Sequence, residues 1–124
     1  NLDVYSNGMG ALGLPGDTSS MSRFVRMVFN SKHSVCEPDE NSAVGQFFHL
    51  LDDVAVTRGT CMTKEGQWNI TVCSVCVNAT RGLYYYTTYE NRRIGCVDLH
   101  KADLEGSALS EFPLEKEQSI FRHN

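Results

Sequence analysis

The spacing of apolar residues predicts two amphipathic helices in the first half of the chain, each with one face toward a core. From about Ser22 to Ser31 apolar side chains recur every three or four positions, which is the period of an α-helix. The members of this face are Met21, Phe24, Val25, Val28 and Phe29. A second helix, from about Ser42 to Val54, has a longer apolar face. Its members are Val44, Phe47, Phe48, Leu51, Val54 and Ala55.

Short polar residues mark the expected start of each helix. Thr18, Ser19 and Ser20 precede the first helix, where a hydroxyl can accept a hydrogen bond from a backbone N–H that the helix start leaves unpaired. Ser42 is the equivalent candidate for the second helix. Between the helices, residues 32–41 are predicted to form a loop that turns at Pro38-Asp39.

From residue 68 onward the period shortens to two, which predicts an antiparallel meander of three strands. The strands are expected at Ile70 to Val77, Leu83 to Tyr89 and Arg93 to Leu99, where β-branched and aromatic residues are concentrated. Arg81-Gly82 and Glu90-Asn91 supply the turns. The predicted fold class is therefore α+β, with two helices followed by an antiparallel strand meander.

Both faces of the first predicted strand are apolar. One face carries Cys73, Val75 and Val77, and the other carries Ile70, Val72 and Cys76. Two apolar faces are typical of a sheet that lies between two layers, so we expect this sheet to be covered on both sides.

The run Tyr84-Tyr85-Tyr86 in the second strand has two interpretations. Aromatic residues in a strand usually pack against neighbouring strands, which is the interpretation we favour, and the alternative is a platform for a ligand. Outside these elements we expect a short strand at 2–5, a helical turn at 101–105 and a closing tail at 112–124.

The composition argues against several classes of protein. The 124 residues are enough for one domain with a single core and too few for two. A formal charge of −4 without a basic stripe argues against a nucleic-acid partner. No apolar run approaches the roughly 20 residues of a membrane-spanning helix. No signal peptide is visible, and because the chain begins with Asn1 we expect its true start to be missing.

The five cysteines indicate free thiols in a reducing compartment, and we therefore expect a cytoplasmic location. They are Cys36, Cys61, Cys73, Cys76 and Cys96. Their odd number and irregular spacing are unlike a disulfide framework. Cys73-x-x-Cys76 also resembles half of a zinc site or a redox pair, but the four histidines are scattered singly. We favour two small side chains buried in a strand and expect no metal and no cofactor.

A glycine-rich segment at 7–17, NGMGALGLPGD, contains the spacing G-x-G-x-x-G. In a dinucleotide-binding loop this spacing follows a buried strand and runs directly into a helix, whose N-terminus holds the pyrophosphate. Here Leu14-Pro15-Gly16 follows the third glycine, and the proline keeps the chain out of a helix. A P-loop is excluded because no Gly-Lys-Ser/Thr follows. We therefore do not expect nucleotide binding, and the sequence contains no G-x-S-x-G or H-E-x-x-H motif.

Two long motifs occur in order, GMGALGLPGDTSSMSRFVR at Gly8 to Arg26 and GLYYYTTYEN at Gly82 to Asn91. With shorter matches at 46–51, 54–59 and 111–114, they resemble the choloylglycine hydrolase family, which includes bile salt hydrolases and penicillin V acylases. The resemblance covers essentially the whole chain. One departure lies in the first strand, where the family often has Tyr-Ser/Thr-Ser-Cys and this chain has Cys73-Ser74-Val75-Cys76.

The resemblance implies an N-terminal-nucleophile hydrolase with a four-layer αββα sandwich, of which the two helices and the meander form a portion. In this family the thiolate of an N-terminal cysteine attacks a linear amide, forms a thioester and releases glycine, taurine or another amine. Residue 1 here is Asn1, and all five cysteines are internal. We therefore expect residues 1–124 to be the C-terminal portion of one hydrolase domain. The nucleophile would lie in the missing N-terminal half, and the chain alone would be inactive.

The resemblance also implies one catalytic residue within the chain, Arg23 of Ser22-Arg23-Phe24. A guanidinium beside a thiolate nucleophile favours its charged form and can stabilise developing negative charge. Without the resemblance, Arg23 would be interpreted as an ordinary arginine on a helix surface. To Arg26 we assign a structural or surface role.

The predicted function of the whole protein is hydrolysis of conjugated bile acids, with penicillin V acylase activity as the alternative within the family. An alternative of a different class is a non-catalytic fragment or interaction module. The resemblance further implies a small-molecule amide as substrate, the N-terminal half as partner and a homotetramer. Without its partner sheet, the chain alone is expected to expose strand edges and apolar faces.

Overall fold

A computed structural model describes residues 8–124 of the chain. The elements in order are α1 (Ser20–His33), α2 (Glu40–Asp53), β1 (Cys73–Asn78), β2 (Leu83–Thr88), β3 (Gly95–Asp98) and a 3₁₀ turn (Leu99–Lys101). The two predicted helices and three predicted strands are confirmed in type and order. The strand predicted at 2–5 lies outside the described residues. Neither helix in the described part of the chain has the length and apolar character to cross a membrane.

Side-chain caps begin both helices, and one of them differs from the prediction. Ser19, one of the three candidates, caps α1, since its Oγ accepts a hydrogen bond from the backbone N–H of Ser22 at 3.3 Å. The cap of α2 is Asp39 rather than Ser42, because Asp39 Oδ1 accepts from the backbone N–H of Ser42 at 3.0 Å. A carboxylate at this position also interacts favourably with the helix dipole, so α2 already begins at Glu40.

The three strands form one antiparallel sheet in the order β1-β2-β3. Tyr86 in β2 lies opposite Val75 of β1 and Gly95 of β3. A Cβ at Gly95 would lie 2.7 Å from the Tyr86 ring, so this approach requires glycine. The predicted turn between β1 and β2 is confirmed, and Gly82 there has a φ of 63°.

The outer strands are shorter than predicted. β1 begins at Cys73, since the backbone N–H of Thr71 bonds to the carbonyl of Val56 at 3.1 Å rather than to β2. β3 begins at Gly95, because residues 89–94 form an irregular loop. The helical turn predicted at 101–105 is a 3₁₀ turn that ends at Lys101.

A small core lies where α2 packs on β1. Its buried apolar residues are Val44, Phe48, Val54 and Val56. The first three belong to the predicted apolar face of α2, whereas Phe47 on that face is 41% exposed. No side chain among residues 8–124 is less than 2% exposed, so little apolar surface is fully removed from water.

The apolar face of α1 does not point into this core, contrary to the prediction. Met21 is 72% exposed and Phe24 is 64% exposed, while the buried residue of the helix is Ser22. The hydrogen bonds that attach α1 to the end of α2 come from polar side chains, Arg23, Arg26 and Asn30. Within the described residues its apolar face is therefore turned to solvent.

The two faces of the sheet have different surroundings. Toward α2, the Tyr85 hydroxyl donates to Glu40 Oε1 at 3.0 Å, and burial together with this bond raises the pKa of Tyr85 to about 12. The opposite face has an open apolar groove of about 400 Å³. The groove is lined by Cys73, Val75, Tyr84, Tyr86, Val97, Leu99, Phe112 and Leu114. Phe112 and Leu114 of the tail line this groove but leave it open, so the double cover predicted from β1 is incomplete there.

Tyr84 and Tyr86 pack on the same face of the sheet, as the favoured interpretation of the tyrosine run predicts. Their ring centroids are 6.3 Å apart, and Val77 and Val97 lie opposite Tyr84 on the flanking strands. The run therefore contributes cross-strand packing.

Candidate active site

The glycine-rich segment forms a series of turns that leads into α1. Gly8 and Gly10 have φ values of 80° and 97°, which residues with a side chain rarely adopt. The backbone N–H of Leu14 closes a turn by bonding to the carbonyl of Ala11 at 3.0 Å. Because α1 begins only at Ser20, no glycine of the G-x-G-x-x-G spacing lies at its N-terminus, where a dinucleotide would need it.

Asp17 connects this segment to the first turn of α1. Its Oδ1 accepts from the backbone N–H of Ser19 at 2.8 Å. Hydrogen bonds from Ser19 and Ser22 lower the pKa of Asp17 to about 2, because they stabilise the carboxylate. Ser22 is 5% exposed, and its hydroxyl accepts from that of Ser19 at 3.0 Å. The start of the helix is thus held by short polar side chains.

Arg23 lies in the first turn of α1 and is half-buried. Its Nε donates to the carbonyl of Val54, the C-cap residue of α2, at 2.7 Å. Carbonyls at a helix C-terminus lack partners within the helix and carry partial negative charge, which makes a guanidinium a favourable partner. No hydrogen bond or ion pair among residues 8–124 involves Nη1 or Nη2 of Arg23. Within this part of the chain, these two atoms are therefore available to another group.

Arg26, one turn later, has more contacts than Arg23. Its Nη1 donates to the carbonyls of Pro15 and Asp17, each at 2.9 Å. Its Nη2 donates to the carbonyl of Asp53 at 3.4 Å, and its Nε lies 3.5 Å from the Asp53 carboxylate. The side chain is 17% exposed, so Arg26 is a structural residue and not a surface residue. These contacts could not be predicted from the sequence, because most of the acceptors are backbone carbonyls, which every residue has.

The other candidates from the sequence lie away from this site. Cys73 and Cys76 point to opposite faces of the sheet, because side chains alternate along β1, so the two thiols do not meet. The expectation that both are buried is wrong for Cys73, which is exposed, whereas burial raises the pKa of the Cys76 thiol. The part of the chain that the structure describes contains no group of three or more residues suited to bind a metal.

A separate polar cluster joins the β2–β3 loop to the tail. Asn91 is 3% exposed and donates through Nδ2 to Glu115 Oε2 at 3.1 Å. The backbone N–H of Arg92 donates to Gln118 Oε1 at 3.0 Å, and the Arg92 side chain pairs with Asp52 of α2. These contacts connect structural elements, and the cluster contains none of the predicted catalytic residues.

A sequence match over most of the chain decides the family. The pattern of the linear amide C–N hydrolases, choloylglycine hydrolase family, matches residues 1–112. The chain belongs to this family. The prediction made from the motifs at Gly8 to Arg26 and Gly82 to Asn91 is thereby confirmed.

Two similar proteins are bile salt hydrolase/transferases. That of Lactiplantibacillus plantarum is 43% identical over 124 residues, which are 100% of this chain and 38% of the relative. That of Clostridium perfringens is 34% identical over 120 residues, which are 97% of this chain and 36% of the relative. The chain thus spans little more than a third of the length of these curated relatives.

Solved structures confirm the predicted fold. Two variants of conjugated bile acid hydrolase from Clostridium perfringens match with a TM-score of 0.79 and 36% identity, covering 94% of this chain and 36% of theirs. Penicillin V acylase from Agrobacterium tumefaciens matches with a TM-score of 0.62 and 22% identity, covering 81% of this chain and 32% of that protein. At 22% identity the second likeness concerns the fold alone. The helices and the sheet are therefore a portion of the αββα N-terminal-nucleophile hydrolase sandwich.

Proposed function

We propose that this chain is the C-terminal portion of a bile salt hydrolase domain that cleaves the linear amide bond of glycine- or taurine-conjugated bile acids. The observation that carries the proposal is the 43% identity to the Lactiplantibacillus plantarum bile salt hydrolase/transferase along the entire chain. Because the chain covers 38% of that relative, the rest of the domain would supply the nucleophile.

In the proposed reaction, a cysteine thiolate at the N-terminus of the whole protein attacks the carbonyl carbon of the amide. The C–N bond breaks, the amine leaves with a proton as glycine or taurine, and the acyl group remains as a thioester. Water then cleaves the thioester, which releases the bile acid and restores the thiol. One solved Clostridium perfringens structure is a variant with alanine in place of a cysteine near the start of its chain, which fits a nucleophile in that position.

Arg23 is the residue of this chain that we assign to catalysis. Its Nε is held by the Val54 carbonyl at 2.7 Å, which restrains the guanidinium plane before any substrate binds. A restrained guanidinium can lower the pKa of a nearby thiol and stabilise the negative oxygen of the tetrahedral intermediate. The two terminal nitrogens, which have no partner within residues 8–124, are suited to these tasks.

The substrate class is tested with the whole protein. We expect release of glycine and taurine from glycocholate and taurocholate, measured by amine detection, to exceed release of phenoxyacetate from penicillin V. The reverse preference would assign the protein to the alternative, penicillin V acylase. Failure to cleave any of the three amides would refute the proposed function and its alternative. Turnover by residues 1–124 alone would refute the assignment of the nucleophile to the missing half.

The role of Arg23 is tested by substitution in the same protein. Arg23→Ala is expected to lower kcat by roughly 100-fold or more, as for loss of a group that stabilises an oxyanion. Arg23→Lys should lose less activity, since lysine keeps the positive charge but lacks the planar set of N–H donors of a guanidinium. Lys32→Ala is the matched control, because Lys32 is an exposed cation in the last turn of α1. An unchanged kcat in Arg23→Ala would remove Arg23 from the mechanism.

The family resemblance also supports a cytoplasmic homotetramer as the state of the whole protein. The exposed apolar residues of α1, among them Met21 and Phe24, are available to pack against further parts of the protein or of its assembly. Light scattering on the purified protein measures the number of chains, and a monomer would contradict this part of the proposal.

A further inference from the structure

Arg26 is built into the site in a way that differs from an ordinary helix-surface arginine. Its guanidinium donates to the carbonyls of Pro15 and Asp17 at 2.9 Å, and to that of Asp53 at 3.4 Å. Only 17% of its side chain is exposed. It thus joins the loop before α1, the helix itself and the end of α2.

The planar fork of arginine suits this position. A guanidinium presents five N–H donors in fixed directions, so it can bond to several carbonyls on different segments at once. Lysine has the same charge but one nitrogen on a flexible stem. The charge is balanced by the Asp53 carboxylate at 3.5 Å and by the partial negative charge at the C-terminus of α2.

Arg23 and Arg26 hold the same helix end through consecutive carbonyls. Arg26 donates to the carbonyl of Asp53, and Arg23 donates to that of Val54 at 2.7 Å. Since the two arginines are one turn apart on α1, the bonds made by Arg26 restrict rotation of the helix about its axis. The position of the Arg23 guanidinium therefore depends on both attachments.

We propose that Arg26 is a positioning residue, which fixes the Arg23 guanidinium by holding the loop at 15–17 and the end of α2 against the first two turns of α1. This inference rests on the proposed catalytic role of Arg23. Without Arg26, the charge of Arg23 would remain in the site, but its orientation would vary. Loss of orientation lowers the rate of the chemical step more than it weakens substrate binding.

The test is a double-mutant cycle in the whole protein, with kcat and KM for glycocholate as readouts. We expect Arg26→Gln to lower kcat roughly 10- to 100-fold with little change in KM. In an Arg23→Ala background the same substitution should lower kcat less than about twofold, because the group that it positions is already gone. Lys32→Gln, which removes an exposed cation from the same helix, should not change kcat in either background.

Each outcome of the cycle decides the inference. Unchanged kcat in Arg26→Gln, or equal losses in both backgrounds, would overturn it. If Arg26→Gln does not fold, Arg26→Lys takes its place in the cycle. A wild-type kcat for Arg26→Lys would overturn the inference, because one lysine nitrogen cannot make the several bonds on which it rests.

Nuclear magnetic resonance of the Arg23 Nε–H separates this inference from the proposed function. In the wild type this proton should exchange slowly with water, because it is bonded to the Val54 carbonyl. Arg26→Gln should accelerate the exchange at least about tenfold, and unchanged exchange would overturn the coupling between the two arginines. Wild-type protein that fails to hydrolyse any tested amide would refute the proposed function, while the exchange experiment would still decide the coupling.

Discussion

Ser19, Arg23 and Arg26 bond to backbone groups at helix ends, which have no partner within their own helix. Ser19 accepts from an N–H in the first turn of α1, and the arginines donate to carbonyls at the end of α2. Such groups cost free energy when they are left unpaired away from water. At the scale of single residues, the candidate active site is therefore built where the start of α1 meets the end of α2.

The cap of α1 gives a prediction at this scale. Ser19→Ala is expected to lower the free energy of unfolding of the whole protein by about 1 kcal/mol, because the N–H of Ser22 loses its acceptor. Urea unfolding measures the change. Ser20→Ala is the control, since Ser20 is exposed and lies within the helix, and it should cost less than Ser19→Ala. Equal effects would mean that Ser19 does not act as the cap.

Glu40 gives a pH-dependent prediction. Hydrogen bonds from Asn78, Tyr85 and Arg81 hold the pKa of Glu40 below its ordinary value of 4.5, so the folded state favours the carboxylate. The stabilisation is present above pH 4.5 and is lost as the pH falls through the lowered pKa. Glu40→Gln should therefore lower stability at neutral pH, and this deficit should shrink as the pH falls through the lowered pKa, as measured by urea unfolding across the acidic range. A deficit that stays the same size throughout this range would show that the charge of Glu40 is not the cause.

At the scale of elements, α2 is the helix that organises the described part of the chain. Its first residue, Glu40, is tied to the β1–β2 hairpin through Asn78 and Tyr85. Its middle supplies Phe48 to the core, and its end receives the arginines of α1. The position of Arg23 relative to the sheet therefore depends on α2, which contacts both.

The core of α2 gives the prediction for this scale. Phe48 is 7% exposed, and Phe48→Ala should lower the free energy of unfolding of the whole protein by about 3 kcal/mol, since it leaves a cavity. Phe47, its neighbour in sequence, is 41% exposed here and provides the comparison. Phe47→Ala should cost less in the same urea titration. A larger loss for Phe47→Ala would show that Phe47 belongs to a more extensive core than residues 8–124 form.

At the scale of the whole molecule, apolar surface is left uncovered on α1 and on the sheet within residues 8–124. The apolar face of α1 is turned to solvent, and one face of the sheet carries an open groove of about 400 Å³. Extended apolar surface of this kind marks an interface with other protein. In the proposed bile salt hydrolase, the N-terminal half of the domain would meet these surfaces.

The uncovered surface predicts how residues 1–124 behave alone. We expect the isolated chain to bind 8-anilinonaphthalene-1-sulfonate, to aggregate, and to lack a sharp thermal transition, because its core contains few buried apolar side chains. Fluorescence, light scattering and calorimetry measure these properties. A cooperative transition of a monomeric chain would contradict the prediction.

Much of this fold was predictable because its signals are local. The periods of apolar residues located both helices and all three strands, and Gly82 marked the first turn. Ser42 was the wrong cap because a cap depends on which side chain reaches an unpaired N–H, and Asp39 reaches it. The apolar face of α1 was expected to be buried, but periodicity shows only that a face exists and does not show what covers it.

The sequence by itself determined the order of elements, through the spacing of apolar residues, and the family, through its motifs. The resemblance to that family, and not the spacing, made Arg23 the candidate catalytic residue. Tertiary structure decided what surrounds Arg23. The Val54 carbonyl that holds its Nε and the carbonyls that hold Arg26 are backbone groups, which every residue possesses and no motif records. Their use as partners depends on where two helix ends meet, and only the folded chain brings those ends together.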